Sequence, residues 1–136
     1  DIILPWYVGR FTNEDFDEFK SVIPGDVKWC REHGIGFFGD VWPGFSWNNM
    51  NPEADDQVPR KGGEFIQRQI DACIEAGCKS LYFSMFDEVN EGTCIFKIAR
   101  EVPVPAPGAM LVAHEDGVPL DKYLEIAGEA AERLKK

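Results

Sequence analysis

Two glutamates three residues apart, Glu88 and Glu91, stand in the stretch Phe86-Asp87-Glu88-Val89-Asn90-Glu91-Gly92-Thr93, directly after the apolar run Ser80-Leu81-Tyr82-Phe83-Ser84-Met85. Strand side chains alternate between faces, so a spacing of three points the two acids apart while the chain stays extended. Where the strand ends and the backbone bends, both can face one cavity, and Gly92 supplies a permissive backbone for that bend. Two close carboxylates repel in their charged forms, which raises the pKa of one. A pair divided into one acid and one base is what cleavage of a glycosidic bond requires. Acids after a strand also suit a solvated loop or the first turn of a helix, so the surroundings must decide.

Other side chains are placed to serve such a site. Trp42, Phe45 and Trp47 lie in a stretch rich in Trp, Asn and Pro, where a ring could stack on the flat face of a sugar or plug the fold from within. Asn48 and Asn49 offer both donors and acceptors to hydroxyls, and asparagine is equally a turn residue. Trp6 and Arg10 close the first apolar run; an arginine there holds a neighbouring carboxylate ionised or forms a surface ion pair. Arg60 can anchor the long loop, and Asp40 closes a strand. Asp87 adjoins the acid pair. Only two histidines, His33 and His114, are present, and Cys30, Cys73, Cys78 and Cys94 contain no Cys-x-x-Cys pair. No metal site and no cofactor are therefore expected. Buried core thiols are expected of the cysteines, with disulfides left open.

At 136 residues and 44% apolar composition, with ten Phe, the chain has material for one domain with a core. Its net charge of -10 argues against nucleic acid and anionic membranes as partners, since both attract basic surfaces. No run reaches the roughly 20 apolar residues of a membrane span. A signal-peptide pattern is absent and the chain opens directly on a core-like segment, which reads as processing or as a piece of something longer.

The elements that must position these residues follow from periodicity. Strands are expected over 2–8, 35–41 and 78–86, with a short fourth over 109–113. Asn13 is expected to cap a helical stretch carrying Phe16 and Phe19, and Pro24 to start a second segment over 25–33. Phe65, Ile66, Ile70, Cys73 and Ile74 recur at helical spacing over 63–76. Leu120, Tyr123, Leu124, Ala127, Ala131 and Leu134 outline one apolar face of a last helix. Residues 42–60 are a long loop and 97–108 a proline-containing connection. Alternating strands and helices imply a parallel sheet with helices outside. In a (β/α)8 barrel the active site is built from the loops after the strands, where the candidates fall. A complete barrel needs about 250 residues; this chain has room for roughly four β/α units. The expectation is an α/β fold, a partial TIM barrel, with residues 1–136 forming its C-terminal half.

Three motifs then carry a resemblance. Trp42-Pro43-Gly44-Phe45-Ser46-Trp47-Asn48-Asn49, Pro59-Arg60-x-Gly62-Gly63-x-Phe65 and Met85-Phe86-Asp87-Glu88-Val89-Asn90-Glu91-Gly92-Thr93-x-Ile95-Phe96 resemble, in order and spacing, the later part of glycoside hydrolases of the family 71/99-like group. That group includes endo-α-mannosidases and bacterial proteins called xylosidase/arabinosidase. The resemblance implies a retaining (β/α)8 hydrolase. The endo-α-mannosidases carry a motif Trp-Asn-Glu-Trp-x-Glu-Gly-Thr. Its glutamates match Glu88, which would act as base toward the sugar's 2-hydroxyl, and Glu91, which would act as general acid and then base. This chain departs from the motif at Phe86, Asp87 and Val89, which puts α-mannan specificity in question.

The reading is a retaining glycoside hydrolase acting on a glycan, with Glu88 and Glu91 catalytic and Trp42, Trp47, Asn48, Asn49, Trp6, Arg10, Arg60 and Asp87 around the substrate. Its rival is a half-barrel that binds carbohydrate without cleaving it, or an inactive fragment. A half-barrel exposes two sheet edges and an apolar interior, so either the missing N-terminal half or a second copy, as a homodimer, is expected to close it. A secreted or periplasmic parent would fit, but compartment is not legible in these residues.

Overall fold

The computed structural model describes residues 1–51, 57–101, 107–112 and 114–136. Its central feature is a three-stranded parallel sheet in the order β1 (Ile2–Ile3), β2 (Gly36–Val41), β5 (Ser80–Phe83). Ile2 pairs with Gly36 on one edge of β2, and Phe38 to Val41 pair with Ser80 to Phe83 on the other. Between β1 and β2 lie α1 (Phe16–Phe19), a 3-10 turn (Lys20–Val22) and α2 (Ile23–Glu32). Helix α3 (Glu64–Glu75) connects β2 to β5, and α4 (Lys122–Leu134) closes the described chain.

Alternation along β2 sorts its side chains. Phe37, Gly39 and Val41 face the helices, where Val41 joins Ile66, Ile70, Cys73 and Ile126 in one apolar core. A Cβ on Gly39 would lie 2.6 Å from the Cys73 sulfur, so α3 approaches β2 closely because that position has no side chain. Phe38 and Asp40 point to the opposite face. A second core is aromatic: Phe11, Phe16, Trp42, Phe45 and Phe65 pack together beyond the end of β2. Ring centroids there lie 4.8 Å apart for Trp42–Phe65 and 5.2 Å for Phe11–Trp42.

Several expectations need correction. The first strand stops at Ile3, because the chain rises away from β2 to bring the Tyr7 N–H to the Asp40 carboxylate. Residues 109–112 form no strand, and Ala113 lies outside the described residues. Within the expected loop 42–60, β3 (Phe45–Ser46) and β4 (Gln57–Val58) form an antiparallel ribbon, while 52–56 lie outside the described residues. Likewise 102–106 of the expected connection are not described. Asn13 does not cap α1: the N-cap is Asp15, and the buried Asn13 amide donates to the Pro59 carbonyl at 3.0 Å. The apolar face of α4 is Tyr123, Ile126 and Ala130, with Leu124 and Ala131 turned outward. All four cysteines are buried and free.

Candidate functional site

The acidic loop begins where β5 ends. Ser84 N–H still continues the ladder to the Val41 carbonyl, and the Ser84–Met85 peptide is cis. The loop then closes on itself: Met85 N–H donates to the Thr93 carbonyl at 3.0 Å, and Ile95 and Phe96 N–H groups donate back to Met85 and Phe86. Residues 86–92 are thereby pinched off as a compact turn at the carboxyl end of the sheet. In a barrel-type sheet this is the functional end.

Within that turn the Glu88 carboxylate folds back over its own backbone. It accepts from the Asn90 N–H at 2.6 Å, the Glu91 N–H at 2.9 Å and the Thr93 hydroxyl at 2.9 Å. A carboxylate held by three donors has a fixed position and orientation. Glu91 is half-buried, and both burial and the neighbouring Glu88 charge push its carboxyl above the usual glutamate range. Two acids of one chemical type are thus placed in different environments, the condition for dividing acid and base roles.

Three ties fix this turn to its neighbours. Ser46 N–H, on β3, donates to the Glu91 carbonyl at 2.8 Å. Arg60, only 5% exposed, sends Nη2 to the carbonyls of Gly92 and Cys94, each at 2.7 Å, and lays its guanidinium 4.7 Å from the Tyr123 ring centre. The Asn49 amide donates to the Asn90 and Met110 carbonyls and its oxygen accepts from Met110 N–H. Beneath them the buried Asp40 accepts from Tyr7 N–H at 2.7 Å and from the Ser84 hydroxyl, joining the segment after β1 to the ends of β2 and β5. Desolvation raises the Asp40 carboxyl, against the lowering effect of those donors.

The predicted residues are distributed unevenly. Glu88 and Glu91 share one turn, and Asp87 stands exposed on it. Trp47 (39% exposed) and Arg10 meet across a cavity of about 420 Å³ next to that turn, whose lining includes neither acid. Asn48 is half-buried, its N–H donating to the Ser46 hydroxyl at 3.3 Å. Trp6 is exposed on the segment after β1. Trp42 is corrected: at 0% exposure, among Phe11, Phe45 and Phe65, it offers no ring face to a sugar. Its N–H and carbonyl are held by the Gln69 amide. Arg60 is corrected too, being an internal brace of the acidic turn instead of a substrate contact. Asn49 is committed to backbone in the same way.

Sequence reasoning missed Thr93 as a partner of Glu88, although it stands in the motif quoted for the resemblance. It also missed Thr12, Asp15 and Gln57 beside Arg10 and Trp47; nothing in their spacing signals the cavity, because they come from two distant segments. His114 is buried with Nε2 on the Val118 and Pro119 carbonyls. His33 stacks on Trp29 with ring centres 4.0 Å apart. Among the described residues no group of three His, Cys, Asp or Glu is placed to hold a metal ion.

No protein-family model matches this sequence, and no curated protein is significantly similar to it. Solved structures are similar. One is the family 99 glycoside hydrolase endo-α-mannosidase from Bacteroides thetaiotaomicron in complex with bis-tris propane, with a TM-score of 0.74, 20% identity and 85% of this chain covered. A second structure of a family 99 endo-α-mannosidase from that organism gives the same three values. This chain spans 35% and 33% of their lengths, about a third. The fold is therefore a partial (β/α) barrel with a parallel sheet, like the matching third of those structures.

Proposed function

We propose that the chain supplies the acid-bearing segment, in the C-terminal part, of a retaining glycoside hydrolase. Glu88 acts as base toward the substrate's 2-hydroxyl and Glu91 as general acid. The proton of the 2-hydroxyl passes to Glu88, the freed oxygen attacks the anomeric carbon, and the Glu91 proton goes to the departing glycosidic oxygen. In the second half Glu91 takes a proton from water, the water oxygen attacks the anomeric carbon, the bond from that carbon to the sugar's 2-oxygen breaks, and Glu88 returns its proton to the 2-oxygen.

One observation carries this reading: the two glutamates occupy one turn past β5 in unlike environments. Glu88 is fixed by Asn90, Glu91 and Thr93. Glu91 has its carboxyl raised, largely by burial and then by Glu88. A raised carboxyl keeps its proton to higher pH, which suits the acid. Because the solved structures of this fold are endo-α-mannosidases, α-mannose-containing glycans are the first substrates to test. The opposite wall of the groove comes from elsewhere, either further chain or a second copy, since the matched structures are about three times as long.

A second reading rests on the cavity at Trp47 and Arg10, which excludes both acids. It fits a carbohydrate-binding module without hydrolysis. Kinetics on the full-length protein separate the two. The Glu91→Gln variant is expected to lose hydrolysis of unactivated glycosides while retaining part of it on aryl glycosides with good leaving groups. Equal activity of variant and parent on both substrate types overturns the catalytic reading.

A further inference from the structure

The largest cavity among those described lies outside the acidic turn, between the segment after β1 and the β3–β4 ribbon. Its volume of about 420 Å³ falls in the range of small-molecule sites and would hold one or two sugar rings. Trp47 forms one wall. The Phe45 ring meets it edge-on, with centroids 5.0 Å apart and planes 70° apart, so the indole is braced from the core side while part of it stays open. Facing it are Arg10, Thr12, Asp15 and Gln57. Thr12 donates its hydroxyl and N–H to one oxygen of Asp15, which leaves the other oxygen free to accept. Among the described residues the side chains of Arg10 and Gln57 make no hydrogen bond or ion pair. The cavity therefore sets a braced aromatic edge against uncommitted donors and one acceptor.

That combination selects a class of ligand. Donors and acceptors in alternation suit hydroxyl groups, and a partly exposed indole suits an apolar C–H face. The Asp15 charge offsets that of Arg10, and the chain's net charge of -10 disfavours anions. Phosphorylated and uronic sugars are therefore the poorer fit. The Ser46 N–H, one residue before Trp47, is bonded to the Glu91 carbonyl at 2.8 Å, so this wall is continuous with the acidic turn.

We propose that this cavity is a distal binding subsite for a neutral saccharide unit, separate from the acids, with Trp47 as platform and Arg10 and Gln57 as hydroxyl ligands. It deepens the glycan reading above, and its test does not depend on hydrolysis. The full-length protein is run by affinity electrophoresis in gels containing α-mannan, xylan or arabinan, using Glu91→Gln as the background so that no polymer is consumed. Retardation is expected in at least one gel. Trp47→Ala is expected to weaken apparent affinity by about tenfold or more, Trp47→Phe by less, and the exposed Arg10→Ala by several-fold, each with an unchanged melting temperature. Should Trp47→Ala disturb folding, Arg10→Ala and Gln57→Ala carry the test. Retardation in no gel overturns the proposal, as does full affinity in folded Trp47 and Arg10 variants. If Glu91→Gln leaves hydrolysis intact while Trp47→Ala abolishes retardation, the catalytic reading fails and the subsite stands.

Discussion

Arg60 holds the carbonyl of Gly92 from beneath at 2.7 Å, and the same Nη2 reaches the Cys94 carbonyl at the same distance. A surface residue type has been turned inward to satisfy two backbone acceptors in the turn that carries both candidate acids. Replacing Arg60 with Met leaves those carbonyls without their donor and removes the packing over Tyr123. The expected cost is about 2–4 kcal/mol of folding stability. Lys in its place recovers less than half, lacking the planar group that lies against the ring. Urea denaturation followed by tryptophan fluorescence measures both. A loss under about 0.5 kcal/mol, the level of an ordinary surface substitution, would show that Arg60 is no brace.

Gly92 has a φ of 66°, and a Cβ there would lie 2.8 Å from Val112 Cγ2. Gly92→Ala therefore meets a backbone term and a steric term together. Each is expected to contribute about 1 kcal/mol. Adding Val112→Ala removes the closest contact, leaving the residue-112 Cβ at 3.2 Å, but it leaves the left-handed backbone strained and vacates part of the Val112 site. In a double-mutant cycle the pair should be coupled by about 0.5 kcal/mol or more in the favourable direction. Strict additivity would mean that the turn moves away from Val112 instead of pressing on it.

The alternation of strands and helices, the helix over Glu64–Glu75 and the strand leading into the acid pair were all legible, because each rests on periodicity within one segment. The fold class followed from that order. Trp42 was misread because an aromatic beside Pro and Gly looks the same whether it faces a sugar or a core; only Phe11 and Phe65, from other segments, settle it. Arg60 was misread for the same reason, its acceptors lying more than thirty residues away. The first strand was overextended because an apolar run does not reveal that Asp40 will draw the Tyr7 N–H out of the ladder.

Glu91 gives a pH dependence with a definite sign. Its carboxyl is raised in the fold by burial and by Glu88, so the native state binds its proton more tightly than the unfolded chain. The stability this adds is complete below the ordinary glutamate pKa. It is lost as pH rises from there through the raised value. Glu91→Gln should flatten that part of the stability profile. Glu88→Gln, by removing the repelling charge, should bring the Glu91 titration back toward the ordinary range. Proton-detected titration of the Glu91 side-chain carboxyl by NMR reads the shift directly. An unchanged Glu91 titration in Glu88→Gln would show that the two carboxylates are not electrostatically paired.

Thr93 donates its hydroxyl to Glu88 Oε2 at 2.9 Å while its own carbonyl closes the turn through Met85 N–H. Thr93→Val keeps the buried shape and the backbone bond but removes the one side-chain donor to the candidate base. A hydrogen bond to a charged group contributes about 1.5–3 kcal/mol, and its loss frees the carboxylate to rotate about the two remaining N–H contacts. If Glu88 acts as proposed and must be held to accept the 2-hydroxyl proton, the kcat for glycoside hydrolysis should fall by about tenfold or more, with KM little changed. Thr93→Ser restores the donor and should recover most of the rate, which a purely structural role for the threonine methyl would not allow. Steady-state kinetics of the two variants on one glycoside decide it: equal rates for Val and parent would remove Thr93 from the positioning of Glu88.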